Sequence, residues 1–200
     1  HFLRNKYYIS LMKGNIVWDN YELSTNRLDS MGIHVHSCYI FEFSYQSCER
    51  ERDIDIMFIG TTTPRRHAIY ELLVKNYPDK KIVFHFNFNM ADNEGLTKEL
   101  QRAKYFINIP KHLHNIYDTH SIHRALACGC DVVSLYSGNK ITDIFYEQYI
   151  HFCQDFNSFF DTPFRVVHQK LKYPHLIKEM ACYLEHNLMV IKQLICINEQ

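Results

Sequence analysis

The stretch Ile54-Asp-Ile-Met-Phe-Ile-Gly-Thr-Thr-Thr-Pro-Arg-Arg66 joins an apolar run to a turn and then to the start of a helix. Its apolar half predicts a strand that ends at Gly60. Pro64, directly behind a threonine, is typical of a first helical residue, because its missing N–H is not needed there and its fixed φ suits a helix. We therefore expect a helix over about Arg65 to Tyr77, with Ile69, Leu72 and Leu73 on one face.

The alternation of strand and helix continues along the chain. Further strands are predicted at Lys81–Phe86, Tyr105–Ile109, Asp131–Leu135 and Tyr149–Cys153, with helices at Leu96–Lys104 and Asp118–Cys128. Alternating strands and helices with short links are typical of parallel sheets covered by helices. The predicted fold class is α/β, a Rossmann-like doubly wound parallel sheet.

The segments on either side of this pattern predict the domain organisation. Residues 1–47 are expected to be a lead-in segment, a remnant or edge of an acceptor lobe, with a helix at Asn5–Lys13, a strand at 15–18, a second helix that Gly32 ends, and an extended run over 33–45. The charge-dense connector Cys48–Arg52 predicts a boundary, so that the lobe covers 48–155. Residues 156–200 are expected to be a helical extension, with an amphipathic helix over 176–197.

Composition limits the partners and the compartment. Lys+Arg and Asp+Glu are equal at 22 each, which gives no electrostatic reason to expect nucleic acid as a partner. Seven cysteines without a regular framework favour reduced thiols, as in the cytoplasm. No apolar run approaches the roughly 20 residues that a membrane span needs.

The loop after the first lobe strand is a candidate phosphate site. Ligands of open parallel sheets bind beyond the carboxyl ends of the strands. Between Gly60 and Arg66 the chain offers a glycine, free N–H groups at a helix start, and the two cations of Arg65 and Arg66, which together suit a diphosphate. The alternative is an ordinary capped helix with solvated arginines.

Two later segments also carry reactive side chains. Lys111 and His112 follow the strand at 105–109 and could meet a substrate, although an exposed loop commonly carries such residues. In Thr119–Val133, THSIHRALACGCDVV, the HxxH and CxC spacings within one helix do not suit a tetrahedral zinc ion, so no metal is expected. The thiols of Cys128 and Cys130 lie at the helix end that does not lower a thiol pKa, so they are expected to be small buried residues rather than nucleophiles.

Three runs carry a family resemblance: Ile54–Ile69, Ala103–Ile109 and Arg124–Val133. Their order resembles the donor-binding (C-terminal) half of GT-B-type glycosyltransferases. Within that class the resemblance is to the glycosyl transferases of group 1 and especially to the CgeB-like group. That group has a strand followed by Gly-Ser and a double arginine, a later strand of the Lys-hydrophobic-Asn-hydrophobic type, and a helix that ends in Ala-Leu-Ala-x-Gly before a Val-Val strand. The resemblance covers roughly residues 10–155.

The resemblance implies a single lobe that binds a nucleotide-diphosphate sugar as donor substrate, without a metal or other cofactor. The residues it places at the donor are Gly60, Thr61, Thr62, Arg65, Arg66, His112, Asp118, Thr119, Ser121 and Arg124. Relatives read Arg-x-x-Glu where this chain has Ser121-Ile-His-Arg124, so a cation stands where a ribose-binding glutamate is expected. The catalytic base is not identified, because it normally lies in the other lobe.

The implied activity is transfer of a sugar to an unknown acceptor, which could be a glycan, a protein or a small molecule. An acceptor lobe would have to come from further sequence or from a partner chain. The alternative hypothesis is a degenerate, non-catalytic lobe that acts as a binding or assembly module.

Overall fold

The computed structural model describes residues 6–13, 17–19, 28–37, 51–87, 93–111, 118–137, 140–153, 173–176, 178 and 189. Most of the predicted second helix, most of the charged connector and nearly all of the predicted C-terminal helix lie outside these residues. The chain divides into two compact units, one of Phe43–Leu176 and one of His1–Glu42 with Ile177–Gln200. The predicted boundaries at 47 and 155 remain predictions.

The smaller unit contains a helix and a pair of short strands. Helix α1 spans Lys6–Lys13, and strands β1 (Val17–Asp19) and β2 (Val35–Ser37) pair in parallel. The helix before Gly14 and the strand near Val17 were expected from the sequence, each within two residues of its observed position.

The larger unit is built around a five-stranded parallel sheet. Its elements in chain order are β3 (Ile54–Gly60), α2 (Pro64–Asn76), β4 (Ile82–Phe86), α3 (Asn93–Arg102), β5 (Ala103–Asn108), α4 (Thr119–Ala127), β6 (Asp131–Leu135), α5 (Lys140–Tyr146) and β7 (Ile150–Cys153). The strand order is β4-β3-β5-β6-β7, and every neighbouring pair is parallel. The predicted Rossmann-like α/β fold is thereby confirmed.

The strand order places helices on both faces of the sheet. The chain moves outward from β3 to β4 and then returns past β3 to β5, β6 and β7. Right-handed crossovers therefore put α2 on one face and α3, α4 and α5 on the other. On the α2 face, Ile69 and Leu73 pack with alternate strand residues in one buried cluster, whose other members are Ile56, Phe58, Ile107, Ile109, Val133, Leu135 and Cys153.

Three local predictions need correction. Leu72 is 45% exposed, because the inward positions of α2 are Ile69, Leu73 and Arg66. The helix predicted to reach Lys104 ends at Arg102, since sheet pairing with β3 already begins at Ala103. Helix α5 was not predicted, because its seven residues are too few to establish a period.

Arg52 joins α4 to β5 at the amino end of the sheet. Its guanidinium donates to the carbonyl of Ala103 and, at 2.7 Å, to the carbonyl of Cys128 at the end of α4. Gly129 adopts φ +76°, which lets the N–H groups of Gly129 and Cys130 bond back to Leu126 and Ala125. A cation at the carboxyl end of a helix is electrostatically favourable, so Arg52 also stabilises this helix end.

Candidate functional site

The candidate site lies where the strand order reverses, between the carboxyl ends of β3 and β5. The chain leaves β3 toward β4 on one side, whereas β5 lies on the other side and leads away from it. The loops that follow these two strands therefore separate, which leaves a crevice at this point in open α/β sheets. Both loops carry residues that the sequence predicted for the donor.

The β3–α2 loop is held in a defined conformation. Thr63 caps α2: its side chain accepts from the N–H of Arg66 at 3.2 Å, and Pro64 follows as the first helical residue. Gly60 is required for space, because a Cβ there would lie 2.8 Å from the Phe58 ring and 3.1 Å from the Arg66 guanidinium. The glycine thus allows an arginine to cross directly over the end of β3.

Arg66 is an internal clamp between the two strand ends. Its side chain is 8% exposed, and Nε and Nη2 donate to the carbonyl of Ile109, just after β5, at 3.1 and 2.6 Å. Nη1 donates to the carbonyl and the hydroxyl of Thr61, at 2.8 and 3.0 Å. The guanidinium also lies 4.8 Å from the centre of the Phe58 ring. Since protein acceptors take four hydrogen bonds from it, the side chain of Arg66 has little capacity left for a ligand.

Arg65 has different surroundings although it is the adjacent residue. Its side chain is half-buried at the start of α2, and burial lowers its pKa without removing its charge. For Arg66, burial also lowers the pKa, while the nearby Asp118 carboxylate opposes this and Arg65 adds to it. Of the two arginines, Arg65 is the more accessible cation at this loop.

Asp118 begins α4 beside the same crevice. Its carboxylate accepts from the backbone N–H of Ser121 at 3.2 Å and from the Ser121 hydroxyl at 2.7 Å, which makes it the cap of the helix. Thr119, the first helical residue, is half-buried. The electrostatic effect of Asp118 on Arg66 indicates that α4 and α2 begin near one another. The structure therefore brings together Thr61, Arg66 and Asp118.

The later part of α4 is internal. Arg124 is 7% exposed, whereas His120, four residues earlier, is exposed. His123 is 2% exposed, and its Nε2 lies 2.6 Å from the Tyr146 hydroxyl on α5. Burial, with a contribution from His120, lowers the pKa of His123 to about 3, which keeps it neutral. Ala125, Leu126 and Ala127 are all buried.

Both cysteines of the CxC segment are buried, as the sequence predicted. Burial raises the pKa of the Cys130 thiol to about 12, so it remains protonated at neutral pH. Its Sγ lies 3.1 Å from the carbonyl of Leu100. Within the described residues, no group of three or more His, Cys, Asp or Glu side chains could hold a metal ion.

The structure adds residues that the sequence did not indicate. The carbonyl of Ile109 anchors Arg66, and Asn87, just after β4, contacts the β3–α2 loop. No local pattern reveals either contact, because each joins residues more than 20 positions apart. Lys111 is exposed. His112 lies outside the described residues, so its predicted role stays a prediction.

The strand order of the sheet and the loops at its carboxyl end define a Rossmann-like α/β lobe. Comparison with solved structures shows which known proteins have a similar fold. The chain is similar to the crystal structure of TarM, a GT-B type glycosyltransferase, with a TM-score of 0.54 at 15% sequence identity. The match covers 81% of this chain but 38% of TarM. The similarity supports a glycosyltransferase-like fold. No known family profile and no curated protein sequence matches the chain.

A search for membrane-spanning helices covered the same described residues. None of the helices there is both long enough and apolar enough to cross a bilayer.

Proposed function

We propose that the chain is the donor-binding lobe of a nucleotide-sugar-dependent glycosyltransferase. The observation that carries the proposal is that Arg66 ties the β3–α2 loop to the end of β5 at the point where the strand order reverses, with Asp118 at the start of α4 close enough to affect its charge. A glycosyltransferase-like fold agrees with this proposal. A reduced cytoplasmic compartment and an acceptor lobe from elsewhere remain part of it.

The donor diphosphate is proposed to bind at the start of α2. The partial positive charge of a helix start attracts phosphate oxygens, and Arg65 adds a fixed cation there. Arg66 holds Thr61 and the end of β5 in place, so its contribution to binding is the shape of the loop. The two arginines therefore have separate tasks, in contrast to the initial prediction that both face the diphosphate.

The chemical contribution of such a site is electrostatic. When the sugar leaves the donor, negative charge increases on the departing diphosphate. Donors that are already oriented toward those oxygens stabilise the transition state more than they stabilise the substrate. The arrangement supports a mechanism in which Arg65 and the partial positive charge at the start of α2 stabilise the leaving group. No catalytic base is assigned, because no observation places any of the described side chains next to an acceptor hydroxyl.

The test is binding of UDP, GDP and ADP, measured by calorimetry and by thermal denaturation. At about 100 times its Kd, a ligand adds about 2.7 kcal/mol to the free energy of unfolding, which raises the melting temperature of a chain of this size by roughly 5–10 °C. Arg65→Ala should lower the affinity for the bound nucleotide at least tenfold. Lys75→Ala, which removes the same charge from the exposed last turn of α2, is the control and should bind as the unchanged protein does.

A non-catalytic binding lobe is the second candidate, and the burial of Arg124 favours it. The resemblance implies a ribose-binding glutamate at this position, and the chain instead places a buried cation there. A folded protein that binds none of the three nucleotides would reject donor binding and support this second function.

A further inference from the structure

Asn87 has an unusual backbone conformation at the carboxyl end of β4. Among the described residues other than glycine, it alone has a positive φ, at 59°. Asparagine tolerates this left-handed region better than most residues, but it is still an uncommon conformation. Such conformations cluster at functional sites, so an observed instance justifies asking what it achieves.

The conformation lets Asn87 hold the β3–α2 loop with two contacts. Its backbone N–H donates to the carbonyl of Gly60 at 2.9 Å, and its Oδ1 accepts from the backbone N–H of Thr62 at 3.2 Å. Thr61 is held by Arg66 from the opposite side, toward β5. The proposed phosphate-binding loop is thus fixed from both neighbouring strands.

The contact with Thr62 also fixes the orientation of the Asn87 side chain. The backbone N–H of Thr62 can donate only to the oxygen of the Asn87 side-chain amide, because the NH₂ group is a donor. The branch of the amide that faces Thr62 is therefore Oδ1, and the other branch is the NH₂ group. None of the described residues accepts a hydrogen bond from that NH₂ group, and Asn87 is exposed. The side chain therefore keeps two oriented donors available beside the loop.

We propose that Asn87 is a binding residue of the donor site, with its Oδ1 positioning Thr62 and its Nδ2 donating to a phosphate oxygen of a nucleoside diphosphate. The inference rests on the proposed function and extends it to the end of β4. It gives the diphosphate a neutral donor in addition to the cation of Arg65.

Two substitutions separate the two tasks. Asn87→Asp keeps an oxygen that accepts from Thr62 and keeps tolerance of the backbone conformation, but it replaces the donor by a negatively charged oxygen. Asn87→Gly keeps the backbone conformation and removes both side-chain contacts. Asn76→Asp adds the same charge at the far end of α2, about 18 Å along the helix, and controls for net charge.

The experiment measures the Kd of UDP, GDP and ADP by calorimetry, after circular dichroism shows that each variant is folded. Asn87→Asp should weaken binding of the nucleotide that the unchanged protein binds by at least tenfold, and Asn87→Gly by about threefold to tenfold, whereas Asn76→Asp should bind normally. If Asn87→Asp and Asn87→Gly both bind within twofold of the unchanged protein, the assignment of Asn87 is wrong while the proposed function stands. If the unchanged protein binds no nucleotide, both fail.

Discussion

Arg66 and Arg65 are neighbours in α2, and replacing each by methionine tests whether they have different tasks. Arg66→Met removes the donors that bond the carbonyls of Ile109 and Thr61. The buried carbonyl of Ile109 left without a donor costs about 1–3 kcal/mol, the more exposed bonds to Thr61 cost about 0.5–1.5 kcal/mol, and the contact with Phe58 adds about 1 kcal/mol. Removing a buried charge recovers part of this cost.

The expected net loss for Arg66→Met is therefore about 2–5 kcal/mol, or roughly 5–15 °C in melting temperature. Arg65→Met removes the same charge one residue earlier and should cost less than about 1 kcal/mol, because that side chain is only half-buried. Arg66→Lys should be intermediate, since a single ammonium cannot replace the planar fork that reaches two carbonyls.

Urea denaturation gives the free energy of unfolding for each variant, and an unchanged m-value ensures that the same transition is compared. The nucleotide Kd of each folded variant is measured in parallel. Equal stability losses for Arg65→Met and Arg66→Met would refute the division between a clamp and a ligand-binding cation. So would an Arg66→Met variant that is as stable as the unchanged protein.

Two further predictions concern α4. Because the pKa of His123 is about 3 in the folded chain and its ordinary value is 6.5, the unfolded chain takes up a proton first as the pH falls. The contribution of His123 to the free energy of unfolding should thus be complete above pH 6.5 and be lost by up to about 1.4 kcal/mol per pH unit as the pH falls to about 3. The double variant His123→Leu/Tyr146→Phe should flatten this dependence in urea titrations at several pH values, and an unaltered slope would exclude His123 as its source. Gly129→Ala should cost more than Gly32→Ala, by about 1 kcal/mol or more in the same assay: both glycines have positive φ, but only at Gly129 would a Cβ lie 2.8 Å from Arg52. Equal losses of stability for the two variants would show that the Arg52 side chain moves away from the added Cβ without a measurable cost.

Much of the larger unit could be predicted from local sequence. The limits of β6 agree with the prediction, and those of β4 differ by one residue, because buried strands and their flanking turns carry a strong local pattern. Both ends of the helix predicted over Asp118–Cys128 lie within one residue of those of α4 for the same reason. Lys104 shows where such reasoning fails: it suits a helix, but sheet pairing and an ion pair with Asp55 at 2.8 Å place it in a strand.

The site was less predictable than the fold, because its contacts join distant parts of the chain. Two consecutive arginines point about 100° apart on a helix, and the sequence does not say which one faces inward. The inward-facing arginine is Arg66, because it packs against Phe58 and donates hydrogen bonds to the carbonyl of Ile109. Asn87 had no local signature at all, since its importance arises only when β4 pairs with β3.

The position of Arg52 affects how the lobe can be separated from the rest of the chain. Arg52 precedes the first strand of the five-stranded sheet, yet its hydrogen bonds hold the end of α4 and the start of β5, which are more than 50 residues away. A fragment that starts at the first residue of β3 would keep every strand and lose this connection. An independently expressed lobe therefore has to begin upstream of residue 52, and comparing Arg52→Ala with the unchanged sequence in a fragment that starts at residue 48 would measure what this one side chain contributes to folding.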